Sequence, residues 1–469
     1  MEPHGPPKIL HPTGNMREVF TSSYVDDFQI TVASNTWERN ARLLEDQTNL
    51  IVARAQGLGL SFRIAKTELM HWRKRREGGP RSGSAVKIQG HTVEPAGTLV
   101  RWLGYWLSDN GETTPHFNKR LSLAQAAFWR IQRLSMPGKG LSPYGARRLA
   151  KGILLPTLLY GAEVLVPSRT MMGKMQKFWN RVARWVTNAF YSTNVTVLSV
   201  EACLAPIDLH VEQMRTMTAI RLVTATPENN VATAMLPITF PTREDFRVVT
   251  NRRLAFDANK GGMRPKTWSS VATTTQQTRL PMDEVAATAV TVFPDLKIPI
   301  KPSRLAQVTP EDAESYVKAK EGVRKRIWKK WVDWDYPPYY EYRPIFWDCW
   351  SFMTLPKFQA GRIHQMRAHK SYLNAHTDWS NQDRDVTCVR CGTEPETLEH
   401  VVKCPALSSA RWGYPPDYFD VAPASETWKR GKKGLARVKG LVSYVISNRI
   451  NFPVRGGFFP FTRNADLAS

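Results

Sequence analysis

The sequence predicts an α+β fold in which short strands lead, helices follow and a small cysteine-rich module lies toward the C-terminal end. Three observations predict it. Apolar and polar residues alternate through the N-terminal part, a helical period takes over from Thr114, and three of the five cysteines cluster near a histidine. The chain has 469 residues, 42% of them hydrophobic and 16 of them tryptophan. That is room for about two to four domains with real cores, and it excludes a wholly disordered chain.

The formal charge of +24 favours a polyanionic partner, because each Lys or Arg laid on a phosphate releases condensed counterions. Nucleic acid is the leading candidate; an anionic membrane surface or ribosomal association are the alternatives. Few cysteines, odd in number, argue against a secreted disulfide framework and for a reducing compartment with a metal site. "MEPHGPPKILHPTGN" has no apolar core of a signal peptide. The most apolar later stretch, "GILLPTLLYGAEVLVP", is interrupted by Pro156 and Glu163 and is short for a bilayer span. An intracellular chain, nuclear or cytoplasmic, with no membrane partner is expected.

In "TSSYVDDFQITVAS" Ser23, Tyr24 and Val25 lead into Asp26 and Asp27, and Phe28, Ile30 and Val32 then alternate with polar or small residues. This reads as a hairpin with acids at its tip. Adjacent carboxylates repel, and side by side at a strand end they invite a hard, oxygen-ligated cation such as magnesium; a solvated Asp-Asp turn is the other reading of the same residues. Next, Asn35 with Glu38 suits a helix start, and Trp37, Ala41, Leu44, Thr48, Ile51 and Ala55 form one face until Gly57. Leu60, Phe62 and Ile64 alternate before Lys66, and Leu69 to Trp72 suit a further strand. A basic, Gly-rich loop spans Arg73 to Gly83. Val100 to Asp109 reads as one short strand in which Gly104 permits close backbone approach.

From Thr114 the stripe Phe117, Leu121, Ala124, Phe128 and Ile131 is helical. Ser142 and Pro143 open a second helix carrying Arg147, Arg148 and Lys151. A third, from about Met171, turns Met175, Phe178, Val182 and Trp185 inward and Lys174, Lys177, Arg181 and Arg184 outward. Each basic face alone reads as solvated surface; their agreement in sign points to nucleic acid. Thr226 to Pro310 has weak periodicity and reads as a connector. Beyond it, Trp328, Trp331 and Trp334 interleave with Lys and Arg. They suit either base stacking or the core of a small helical domain, with the core reading slightly ahead.

"CVRCGTEPETLEHVVKCP" sets Cys388 two residues before Cys391, then His400 and Cys404. This spacing matches a tetrahedral zinc knuckle, with His400 and Cys404 on one face of a short helix. Four protein ligands leave no open position, so the zinc is expected to be structural. His364, His369 and His376, with spacings of five and seven, look like surface or packing histidines.

With these residues in hand, "YVDD" resembles the aspartate-pair motif of reverse transcriptases. "GLSFRIAKTELM" looks like their next palm motif, and "RWLGYWLSD" resembles the Leu-Gly motif that grips the primer strand. Order and spacing are similar to those of non-LTR retrotransposon polymerases, over about Ser22 to Pro206 and again over about Val323 to Ala406, where the knuckle lies. The resemblance implies RNA-directed DNA synthesis by two-magnesium chemistry, with RNA and DNA as partners. Asp26 would be the metal ligand, Asp27 the second acid, Lys66 a proton donor or charge stabiliser near the triphosphate, and Leu103 and Gly104 supports of the primer end. It also implies a layout: a tail to residue 21, a partial palm over 22–110, a helical thumb and connector over 111–225, a low-pattern linker over 226–315, a basic aromatic segment with the knuckle over 316–412, and a basic tail over 413–469.

In that family a first metal-binding aspartate, the fingers and the template-binding segments come well before the hairpin, and only Met1 to Ser22 precede it here. The expectation is a C-terminal portion of such an enzyme that cannot polymerise alone, with an upstream polymerase portion as a partner. Arg63 replaces a small polar residue common in relatives. The alternative is a stand-alone nucleic-acid-binding zinc protein with no use for Asp26.

Overall fold

The structure is a computed structural model. It describes residues 18–24, 27–34, 36–72, 85–135, 140–163, 165, 167–224, 310–346, 348–377, 385–407, 420–425, 427–429 and 431–450. The basic loop over 73–83, nearly all of the expected linker and Asp26 lie outside the described residues. The architecture is α+β, with helices predominating and, among the described residues, strands confined to the N-terminal part. Two compact units form. One comprises Met1–Lys119, Gly161–Met171 and Met214–Val323, the other Arg120–Tyr160, Met172–Gln213 and Arg324–Ser469. Both are discontinuous in sequence.

In the first unit, β1 (Glu18–Tyr24) pairs antiparallel with β2 (Asp27–Ala33), with Tyr24 opposite Asp27. Helix α1 (Trp37–Gly57) is capped by Thr36, whose hydroxyl accepts the Arg39 N–H at 3.2 Å, while Asn35, the expected cap, lies outside the described residues. Its Ala41 and Val52 pack with Leu69, with Val86 and Ile88 of β3 (Val86–Ile88) and with Val93 of β4 (His91–Val93). Burying such side chains stabilises by about 1.5–3 kcal/mol each for the larger ones. Polar residues fix the docking: Glu45 accepts the Lys87 N–H at 3.1 Å. The Asn49 amide accepts the Gln89 N–H at 2.9 Å and donates to the Lys87 carbonyl at 3.0 Å.

The expected strand over Leu60 to Ile64 does not form. Ile64–Lys66 is a single 3-10 turn, Leu60 and Phe62 are exposed, and Leu69 makes one bridge, to Pro95. An alternating pattern makes a strand only where another strand is in reach, and among the described residues none pairs here. The expected single strand at Val100 to Asp109 is instead a hairpin, β5 (Leu99–Trp102) against β6 (Tyr105–Ser108). Leu103 (φ 47°) and Gly104 (φ 79°) form its two-residue turn. Positive φ at both positions matches the twist of a tight hairpin, and a leucine there is strained by about 1–2 kcal/mol. Leu103→Asn is therefore expected to raise stability by about 1 kcal/mol, read as a later urea midpoint. An unchanged midpoint would show that leucine packing compensates. Among the described residues the strands make three separate two-stranded sheets, not one palm-like sheet.

Helices carry the core of the second unit, to which four of them belong only from Arg120, from Met172, up to Gln213 and from Arg324. The chain runs through α2 (Thr114–Gln132), α3 (Pro143–Leu149), a π-helical turn (Ala150–Leu154), α4 (Leu155–Leu159) and α5 (Arg169–Thr187). After α6 (Val195–Glu201), α7 (Ile207–Thr224) and α8 (Pro310–Val332), it continues through α9 (Lys357–Arg367), α10 (Asn374–Thr377), α11 (Leu398–Lys403) and α12 (Lys432–Ser447). The face expected on α5 is buried at Met175, Phe178, Val182 and Trp185, while Lys174, Lys177 and Arg181 are exposed. Phe128 of α2 meets Phe178 and Trp185 edge to face, with ring centroids 5.9 and 5.6 Å apart. Helix α12 buries Val438, Leu441, Val442 and Val445.

At the centre of this unit sits a buried ionic cluster. Glu201 ends α6 and accepts hydrogen bonds from Tyr340 Oη (2.7 Å) and Arg367 Nε (3.1 Å), with His364 Nδ1 at 2.7 Å. Burial works to raise the Glu201 carboxyl, but the Arg367 guanidinium, then the His364 bond, outweigh it and hold it below the usual range. The guanidinium of Arg367 lies 3.5 Å from the Tyr342 ring centroid, 4.1 Å from Trp350 and 4.4 Å from Trp428. Its Nη atoms have no hydrogen-bond partner among the described residues. Trp331 is also buried and donates to Ser199 Oγ at 3.1 Å. The core role weighed for these tryptophans is the observed one at Trp331.

Candidate metal centre

The cysteine-histidine module folds around two short hydrogen-bonded turns. The Cys388 carbonyl accepts the Gly392 N–H at 2.8 Å and the Cys388 N–H donates to the Glu394 carbonyl at 2.7 Å. Gly392 adopts φ 66°, a left-handed conformation that glycine reaches without steric cost. This knuckle turns the Cys388 and Cys391 sulfurs to the same side. A Thr397–Pro395 backbone bond of 2.9 Å then leads into α11, whose first turn is capped by Thr397 Oγ1 accepting the His400 N–H at 3.1 Å. Cys404 follows α11 directly.

The one ligand atom of each of Cys388, Cys391, His400 and Cys404 lies within 4.8 Å of all the others. Cys388 Sγ and Cys404 Sγ are 3.9 Å apart, and Cys391 Sγ is 3.2 Å from His400 Nε2. For zinc–sulfur bonds of about 2.3 Å a tetrahedron has sulfur–sulfur edges of about 3.8 Å, so the set fits a tetrahedral ion such as zinc. Cys388 and Cys404 are buried, as is His400. The Thr393 hydroxyl donates to Cys391 Sγ at 3.1 Å, and this bond, with the Thr393 N–H, pulls the Cys391 thiol down to about 6. Burial pushes Cys404 upward.

A further acid completes the arrangement. Glu394 Oε2 sits 2.8 Å from His400 Nδ1, which directs Nε2 at the thiolates; such a partner fixes the tautomer and orientation of a ligating imidazole. The sequence reading missed Glu394 and Thr393, although both lie inside the Cys391–His400 interval. Outward from the ligands, Asn374 bonds the Thr387 carbonyl (2.9 Å) and its N–H donates to Glu396 (2.9 Å), Arg390 pairs with Glu396, and Tyr444 Oη of α12 donates to the Val401 carbonyl at 2.7 Å. The centre is thus bound into α10 and α12. An ion held by all four of these ligands would have no coordination position left for a substrate.

The other expected site residues are not assembled in this way. Asp27 opens β2 and is exposed, Lys66 closes the 3-10 turn and is exposed, and no hydrogen bond or ion pair joins them. Asp26 is outside the described residues. His364 is buried against Glu201 and His376 against Ser371. These two are packing histidines, as one of the two readings had them. Among the described residues no helix is long and apolar enough to cross a membrane. Comparison with protein-family models, with curated proteins and with solved structures found no match.

Proposed function

We propose that this chain is a portion of a non-LTR retroelement RNA-directed DNA polymerase that binds RNA and DNA and carries a structural zinc module. The reading is supported by the hairpins at its motif residues. Asp27 closes the β1–β2 hairpin opposite Tyr24, and the Leu-Gly pair is the tip of β5–β6. A charge of +24 supplies the phosphate affinity. In this reading the partial palm lies in the first unit and the helices from α2 onward stand for the thumb.

For magnesium, the described part of the hairpin tip offers the exposed carboxylate of Asp27. An octahedral ion bound by carboxylates and phosphates requires more oxygens than that. Asp26 and acids of another portion would complete the set, with Lys66 facing the triphosphate. Synthesis by the chain alone is therefore not expected. The purified chain with labelled primer–template and magnesium should bind in a salt-dependent way and extend nothing. Extension without a helper chain would overturn the dependence on another portion, and absence of binding at low salt would overturn the nucleic-acid reading.

A second reading, a stand-alone nucleic-acid-binding zinc protein, is favoured by one observation: the Cys-His centre assembles without any part of the aspartate hairpin. Asp26→Asn with Asp27→Asn separates the two. Binding should stay within about twofold in both readings, since neither residue contributes cationic charge to phosphate contacts. Synthesis restored by a supplied upstream portion should vanish only in the polymerase reading.

A further inference from the structure

A cavity of the second unit carries chemistry that neither the zinc centre nor the aspartate hairpin uses. Arg147 of α3 and Lys151 of the π-helical turn stand one turn apart on its wall, beside His210 of α7 and the indoles of Trp328 and Trp331 on α8. The space between the lining side chains, counting its open mouth, is about 470 Å³. Arg147 is 9% exposed. Its Nε and Nη2 donate to the carbonyls of Cys203 (2.9 Å) and Asp348 (3.5 Å), and among the described residues no carboxylate lies within ion-pair distance of it. A buried cation compensated only by carbonyl dipoles attracts an anion.

The neighbouring groups add to this. Lys151 is held below its ordinary value by burial first and by the charge of Arg147 second. The π turn that starts at Ala150 widens the helix where Lys151 enters the wall, and such turns recur at functional sites. His210 Nε2 is buried with no hydrogen-bond partner among the described residues. Burial pushes that imidazole down to about 3, so at neutral pH it is an uncharged hydrogen-bonding group. The N–H groups of Trp328 and Trp331 are already bonded, to the Pro344 carbonyl (2.9 Å) and Ser199 Oγ (3.1 Å), so these indoles offer the cavity hydrocarbon surface. Asp348 is the one acid of the lining, and its Oδ1 accepts the Cys349 N–H at 2.9 Å.

We propose that this cavity is a seat for a phosphoryl group, held by Arg147 and Lys151 with His210 as a further hydrogen-bonding contact. The phosphoryl group belongs either to the backbone of a bound nucleic acid or to a free nucleotide or pyrophosphate. The inference does not depend on the retroelement reading.

The test titrates pyrophosphate by calorimetry, and a labelled single-stranded oligonucleotide by anisotropy across a salt series, against the full chain. Lys151→Gln is compared with Lys432→Gln, which removes the same charge from an exposed position of α12. Lys151 is only partly buried, so its variant is expected to fold; Arg147→Gln is the second variant, checked for folding by circular dichroism. Lys151→Gln should weaken binding about tenfold, the size of one charged hydrogen bond, and Lys432→Gln should not. If pyrophosphate itself binds with this dependence, the seat takes free phosphate. If only the oligonucleotide does, with the salt slope reduced by about 0.7, the seat takes a backbone phosphate. Equal effects of the two lysine variants on both probes would overturn the cavity while leaving any oligonucleotide binding, and so the nucleic-acid reading, intact. Failure of wild type to bind either probe would overturn both.

Discussion

Stripping the metal with a strong chelator is expected to unfold residues 385–407 and to loosen α10 and α12 with them. Little else holds this segment. Of its side chains, Cys388, Glu396, Leu398, His400, Val401, Val402 and Cys404 are buried, and three of those seven are ligands. Without an ion the Cys388 and Cys404 sulfurs are left 3.9 Å apart with nothing to hold thiolates together. Apparent binding energies of structural zinc in isolated finger peptides are about 10–16 kcal/mol, more than the two valines and one leucine can supply at about 1.5–3 kcal/mol each. Amide exchange across 385–407 should rise by orders of magnitude on chelation and recover on adding zinc back. Cys391→Ser should reproduce the loss without chelator, and should also raise exchange in α12, because Tyr444 then loses its fixed Val401 carbonyl partner. Exchange in this segment that is indifferent to metal would mean that packing alone forms the module.

That module was the most legible part of the sequence, and the reason is physical. Metal ligands are few residue types, their spacing is fixed by bond lengths, and the turn between Cys388 and Cys391 needs no distant partner. The helix faces of α2 and α5 were legible for a similar reason, since a 3.6-residue period is set locally and Phe128, Phe178 and Val182 all lie where it puts them. What failed was whatever depended on a partner strand. Leu60 and Phe62 alternate like a strand yet are exposed, because nothing in their own spacing says whether an edge is available. The turn at Leu103 and Gly104 was hidden because leucine is not a residue that signals positive φ, and apolar alternation runs unbroken through it. The Glu201 cluster could not be read at all: its acid and its guanidinium stand 166 positions apart, and neither sits in a local pattern.

Glu201→Ala is expected to cost the second unit about 3–5 kcal/mol, because it leaves Arg367 as an unpaired buried charge. Both side chains are fully buried, with the guanidinium already enclosed by the rings of Tyr342, Trp350 and Trp428 and its Nη atoms without hydrogen bonds. The aromatic faces offset part of the desolvation, by about 2 kcal/mol for a dry cation–π contact, but they cannot replace the carboxylate that bonds Nε. Tyr340 Oη and His364 Nδ1 would lose the same acceptor. Unfolding followed by tryptophan emission should move to lower urea with an unchanged slope. The pairing is a device for position more than for stability, so Glu201→Leu combined with Arg367→Met should cost clearly less than Glu201→Ala alone. A double variant as unstable as the single one would show that the cluster stabilises in its own right. The pH dependence has a definite sign. Glu201 is held below its unfolded value, so its contribution is complete above the ordinary glutamate range and is lost as pH falls through the lowered folded value. His364, pushed down by burial against the pull of Glu201, adds a loss that begins below its ordinary value of about 6.5. The wild-type unit should therefore lose stability on acidification from about pH 6.5 downward, and Glu201→Gln should flatten the lower part of that curve while enlarging the histidine part, because the charge that pulls His364 upward is then gone.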